Sequence, residues 1–187
     1  FYLHGRGEME NVSTWPWEAC REQIRRVIVL PGVTGLTSDE FSACTALTDV
    51  TLPDTLRTVS GFAGCTALKE IELPASLNSI YGYAFQNCTA LARIFLPASL
   101  QNVNYRAFDG CTALKDVYYY GTPESRSSIS FNNGNDALRY NARWHYIASP
   151  EDVCTVTLQQ TEGGVIAANA LAPALGETVK ITIASVE

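Results

Sequence analysis

Six cysteines and two histidines carry the most reactive side chains in this sequence. Cys20, Cys44, Cys65, Cys88, Cys111 and Cys154 could pair as disulfides, bind a metal as thiolates or supply a nucleophile. A nucleophilic thiol needs a base beside it. His4 with Cys20 is the pair the sequence offers, against the plainer reading of a histidine packed on nearby aromatic rings. There is no G-x-S-x-G, no glycine loop ending in Lys-Ser or Lys-Thr, and no H-E-x-x-H. The 19 Asp and Glu residues are spread over strand and turn positions, so the sequence assigns no pair to acid and base roles. The expectation is a protein that is not an enzyme, with no catalytic residues, no cofactor and no metal site.

The spacing of the cysteines explains them better than their reactivity does. Cys44, Cys65, Cys88 and Cys111 lie 21, 23 and 23 residues apart, and each is followed by Thr-Ala-Leu. Residues 66–88 and 89–111 are the cleanest units of an internal repeat. The unit at 45–65 is two residues shorter in its second half. An earlier unit aligns from Ile24 to Cys44, and a fifth starts at Thr112 and departs from the pattern after Val117. A repeated cysteine spreads its thiols along an axis, whereas a metal needs ligands converging on a point. These four thiols are therefore expected as reduced core residues, and a bond between neighbours would be strained.

Each unit has a physical reading. Leu68, Ile71 and Leu73 form an L-x-x-I-x-L strand with its apolar side chains inward. Pro74 ends the ladder because it has no N–H to donate. Leu77 and Ile80 return to the core on the far side, Ala84 and Phe85 sit in a tight turn, and Cys88 closes the unit. One unit cannot bury its own apolar face, so units must stack. The fold class expected is an α+β repeat solenoid: a right-handed leucine-rich-repeat coil with short strands, capped at both ends, plus a small C-terminal β segment.

The pattern L-x-x-I-x-L-P-x-x-L-x-x-I with A-F-x-x-C resembles the bacterial BspA-like (Treponema pallidum type) leucine-rich repeat. The resemblance covers about residues 1–147. Leu3 to Met9 with Pro16-Trp17 is similar to the cap that precedes such repeats, and Val27 to Thr34 to their first unit. Val117 to Gly121 and Asn135 to Tyr146 are similar to their usual ending. Membership implies a secreted or surface-attached bacterial protein without enzymatic activity, and adhesion to host proteins or other cells in some members.

Residues 1–21 read as an N-terminal cap, 22–121 as about five repeats and 122–147 as a C-terminal cap. The last includes a short helix with an acidic, capped start from Asn135 and a closing strand from Arg143. Beyond Ser149-Pro150, residues 150–187 alternate like β-strands and resemble part of an InlB-type or Ig-like surface module. The chain begins at Phe1 and reads as a fragment of a longer protein. Net charge is −6 and the 13 basic residues are scattered, which excludes a nucleic-acid footprint. No stretch approaches the ~18 apolar residues of a membrane helix, so no membrane insertion is expected of this fragment.

The remaining candidate surface is the strand face. Residues flanking the central Ile point outward in two columns. Arg26, Asp49, Glu70, Arg93 and Asp116 form one, with signs that can pair along the ladder or stay solvated. Ile28, Thr51, Glu72, Phe95 and Tyr118 form the other, with Tyr120 nearby. Clustered exposed aromatics are enriched in binding sites. Phe95, Tyr118, Tyr120, Glu72 and Arg93 are therefore the candidate ligand-binding residues, unless the C-terminal segments cover the aromatics. The expected function is an extracellular or cell-surface module that binds a host or neighbouring-cell protein or glycan; the alternative is a spacer or display domain with no ligand of its own.

Overall fold

The computed structural model describes residues 1–8 and 15–147; the β segment expected at 150–187 lies outside them. Strands come in pairs along the chain. The pairs are β1 (Tyr2–Leu3) with β2 (Gly7–Glu8), β3 (Arg26–Val29) with β4 (Val33–Gly35), β5 (Asp49–Thr51) with β6 (Thr58–Val59), and β7 (Glu70–Glu72) with β8 (Ser79–Ile80). They continue as β9 (Arg93–Pro97) with β10 (Asn102–Val103), and β11 (Asp116–Tyr120) with β12 (Ser130–Phe131). Strand β13 (Arg143–Tyr146) comes last. The two members of a pair join different sheets, and every inter-strand pairing is parallel. This is a leucine-rich-repeat fold.

The even-numbered strands form one six-stranded ladder where sequence reading expected only a return of Leu77 and Ile80 to the core. Two or three residues per unit are too few to show alternation, so this ladder leaves no periodic signature. The prolines end their strands as expected: β7 stops before Pro74, and the equivalent Pro97 is the last residue of β9, opposite Tyr120. At a strand end its missing N–H costs nothing.

The core is a set of columns. Leu47, Leu68 and Leu91 are fully buried, as are Phe41, Phe62, Phe85 and Phe108. The phenylalanine rings stack at 5.6, 5.7 and 5.2 Å between centroids. Trp17 continues the pile 5.6 Å from Phe41, with Trp15 5.1 Å beyond it. An indole thus lies where a preceding unit would have placed a phenylalanine.

Each turn is built alike. The residue before each repeat cysteine is left-handed: Ala43, Gly64, Asn87 and Gly110 have φ of 57°, 73°, 59° and 75°. The cysteine amide then donates to the phenylalanine carbonyl three residues back, and the leucine of Thr-Ala-Leu donates to the cysteine carbonyl. The thiol bonds across units. Cys65, Cys88 and Cys111 donate to the carbonyls of Phe41, Phe62 and Phe85 at 3.3, 3.1 and 3.1 Å. The hydroxyls of Thr55, Ser76 and Ser99 do the same for the carbonyls of Val33, Leu56 and Leu77.

The two residues missing from the short unit are lost between Thr58 and Phe62, where the chain turns through Gly61 at φ 87°. Glu40 fills the adjoining space. It is fully buried, and its Oε1 accepts from the amides of Thr37 (3.0 Å) and Ser38 (3.2 Å). Its Oε2 has no partner among the described residues, and a Cβ on Gly61 would collide with it. Burial holds the carboxyl above its usual range, against the pull of the amide bonds.

Past the last unit, the expected helix is a five-residue π turn, Ala137–Asn141, and Asp136 makes no side-chain cap. Asn135 has another task. Its Oδ1 accepts from the Phe108 amide at 3.1 Å, the bond that Ala107 provides to Phe85 through a backbone carbonyl. Its amide group donates to the carbonyls of Asn104 and Asn132, both at 2.8 Å. One side chain therefore stands in for the next unit's backbone.

Two measurements test this core. Phe85→Ala removes a ring stacked on both faces and should cost about 3–5 kcal/mol, read as a lowered urea midpoint. Glu40 favours its protonated form when folded, so its stabilising contribution is complete below the ordinary carboxylate pKa and is lost as pH rises through the raised value. Glu40→Gln should accordingly gain stability relative to the parent between about pH 4 and pH 7, in urea unfolding at both ends.

Candidate functional site

The odd-numbered strands present two columns of side chains. In the first, Arg26 lies opposite Asp49, Glu70 opposite Arg93, Arg93 opposite Asp116, and Asp116 opposite Arg143. The charges pair along it: Arg26–Asp49 at 3.7 Å, Arg93–Glu70 at 2.7 Å and Arg143–Asp116 at 3.9 Å. In the second, Glu72 lies opposite Phe95, Phe95 opposite Tyr118, and Tyr118 opposite His145. Phe95 stacks on Tyr118 at 4.8 Å and Tyr118 on His145 at 4.7 Å, with planes 15° and 14° apart. All three rings are half-buried. His145 Nε2 lies 2.8 Å from Asp116 Oδ1, which fixes the last ring of the row.

The five candidate residues thus fall on one face, though not in one cluster. Phe95 and Tyr118 share the aromatic row; β13 extends the sheet beside them, its His145 covering one face of Tyr118 while both rings stay half-exposed. Arg93 stands in the charged column. Tyr120 reaches back over β9, and its hydroxyl bonds Glu72 Oε1 at 3.2 Å. Burial and the neighbouring Glu72 charge hold its phenol above the usual range. Sequence reading missed His145 in the row. The signal was there: Arg143-Trp144-His145-Tyr146 repeats the pattern of Arg93-Ile94-Phe95-Leu96.

The sheet is interrupted between β5 and β7. Thr48, Ala92, Lys115 and Arg143 each donate an amide bond to the preceding unit at the start of the strand, to Arg25, Lys69, Ala92 and Lys115. Lys69 makes no such bond to Thr48 among the described residues. The interruption falls where the spacing is 21 residues, from Val50 to Ile71. Val50 and Leu52 are half-buried there, while their equivalents Val27, Ile71, Val29 and Leu73 are buried. A cleft of about 560 Å³ opens over Val50, Leu52, Leu73 and Pro97, with Asp54, Glu72 and Tyr120 on its walls. A second hollow of about 600 Å³ adjoins it on the Arg26 and Phe95 side.

The residues with chemical potential are elsewhere and quiet. Burial pushes the Cys44 thiol up to about 11 and those of Cys65 and Cys111 to about 12, with Cys88 moved the same way. Cys20 is exposed and its thiol donates to the Trp17 carbonyl, while His4 is exposed and packs on no aromatic ring among the described residues. Among the described residues no group of three or more His, Cys, Asp or Glu converges to hold a metal ion, and no helix is long and apolar enough to cross a membrane.

A family model for the BspA type leucine rich repeat region matches residues 18–139 in six copies. Among solved structures, a leucine rich cell surface protein from Faecalibacterium prausnitzii A2-165 is 32% identical with a TM-score of 0.56, covering 59% of this chain and 30% of that one. The T. pallidum leucine rich repeat protein is 34% identical with a TM-score of 0.50, over 57% of this chain and 50% of that one. A leucine-rich repeat protein from Bacteroides ovatus ATCC 8483 shares the fold at 23% identity and a TM-score of 0.55, over 78% of this chain and 37% of that one. The chain thus spans between about a third and a half of these proteins' lengths. No curated protein matches it.

In the folded protein carrying Cys154→Ser, a thiol reagent should label Cys20 promptly and the four column cysteines only on unfolding. Prompt release of more than one equivalent would contradict their burial.

Proposed function

The chain belongs to the BspA-type leucine-rich-repeat family, and we propose that it is a non-catalytic module of a secreted or surface-displayed bacterial protein, binding a protein or glycan through its strand face. The observation that carries this is the half-exposed row of Phe95, Tyr118 and His145, held rigid by stacking and by the His145–Asp116 bond. Fixed aromatic side chains lose little entropy on binding and supply much of the energy of protein interfaces. The charged column beside the row is neutralised by its own pairs, so it offers registration more than affinity. In this reading Phe95, Tyr118 and Tyr120 make the contact, with Glu72 and Arg93 on its rim.

Placement at the cell surface follows the Faecalibacterium relative, which is described as a cell surface protein. The same reading takes the stacked units as a right-handed coil over 22–121, closed by residues 1–21 and 122–147 as caps. Trp17 and Asn135 support it, since each satisfies an end unit in place of a missing neighbour.

A screen of the chain against extracellular-matrix proteins and a glycan array tests the proposal. Saturable binding that Phe95→Ala with Tyr118→Ala weakens by at least about tenfold is the expected result, a loss of ~1.4 kcal/mol or more. Failure to bind any of them, with the fold intact, would instead make the module a spacer.

A further inference from the structure

We infer that the cleft at the sheet interruption receives an arginine side chain of a partner polypeptide. The inference rests on the strand-face reading and names the partner's chemistry. Three observations lead to it. First, the cleft has an apolar floor: Val50 and Leu52 are half-exposed there, where the equivalent residues of β3, β7, β9 and β11 are buried, beside Leu73 and Pro97. Its volume of about 560 Å³ suits a ligand-sized group. Second, its carboxylates are uncompensated. Along the charged column Asp49, Glu70 and Asp116 each face an arginine. Asp54 and Glu72, on the cleft walls, have no cationic partner among the described residues, and Glu72 holds only the Tyr120 hydroxyl. Third, Tyr120 is 39% exposed and stands at the cleft, an aromatic ring beside the two acids.

An arginine matches all three. Its aliphatic stem covers apolar surface while its charged end stays polar. The planar guanidinium pairs with carboxylates and lies against an aromatic ring. A glycan matches less well. The faces of Tyr118 are taken by Phe95 and His145, so that ring has no free face for a sugar to stack on. An acidic glycan or peptide would meet Asp54, Glu72 and a chain of net charge −6.

The test uses acetyl-Gly-Arg-Gly-amide as the probe, titrated into the isotope-labelled chain and followed by amide chemical shifts. Its control is the same peptide with citrulline, which keeps the shape and loses the charge. The expected result is saturable shifts at Thr51, Leu52, Glu72, Leu73 and Ser99, with binding about tenfold weaker for citrulline and for Asp54→Asn with Glu72→Gln. Both substitutions are at exposed positions, and preserved spectral dispersion reports that the fold is kept. Equal shifts with citrulline, shifts confined to Tyr118 and His145, or none at the cleft would overturn the inference. A partner found in the screen whose binding depends on Phe95 and Tyr118 but not on Asp54 and Glu72 would overturn it too, leaving the adhesion reading in place. Citrulline-sensitive binding with no partner in the screen would support the cleft and remove the adhesion reading.

Discussion

The carbonyl of each repeat phenylalanine in Phe41, Phe62 and Phe85 receives two hydrogen bonds, and the stack depends on both. One comes from the cysteine amide of the same unit and closes the turn; the other comes from the cysteine thiol of the next unit. A carbonyl has two lone pairs, and a buried one left without a partner is costly. Cysteine meets the second lone pair with a side chain small and apolar enough to be buried. Serine would donate as well but would bring a more polar oxygen into the core, and alanine would not donate. The phenylalanine ring on the same residue then stacks on its neighbours, so the turn carries polar and apolar contacts together.

The same arrangement explains how far the sequence could be read. Cys-Thr-Ala-Leu recurs because every unit meets the same requirements, and the columns read from Ile71 and Glu70 match the strand register. The even-numbered ladder was hidden because Ser79-Ile80 and its equivalents are too short to show a period. Glu40 and Asn135 were hidden for a different reason. Each repairs a place where the repeat fails, at a shortened turn and at the end of the stack, and a residue that serves once leaves no periodic trace. Of the candidate site, Phe95, Tyr118 and Glu72 could be placed by register alone. The cleft could not, because it arises from the interruption between β5 and β7, and the 21-residue interval marks its position without showing that the ladder opens.

That interruption also sets the character of the strand face. Where the ladder is continuous, β7, β9 and β11 bury their inward residues and present a paired charged column beside the aromatic row. Losing the pairing between one pair of neighbours exposes part of Val50 and Leu52, beside the carboxylates of Asp54 and Glu72. The even-numbered ladder stays intact on the other side, with Thr58 opposite Ser79, so the opening is local and the stack remains joined behind it.

Because each bond across the stack runs between equivalent positions of adjacent units, the fold has a natural currency for changes of length. Removing or duplicating a whole unit would leave the thiols of the Cys65, Cys88 and Cys111 type facing a phenylalanine carbonyl and the Ser99-type hydroxyls facing their own acceptors. Gaining or losing two residues does not have this neutrality, and it demands local remedies such as Glu40 beside Gly61. Gain or loss of a whole unit is therefore a gentle way for such a chain to change the length of its strand face, whereas a change of a few residues creates an individual feature.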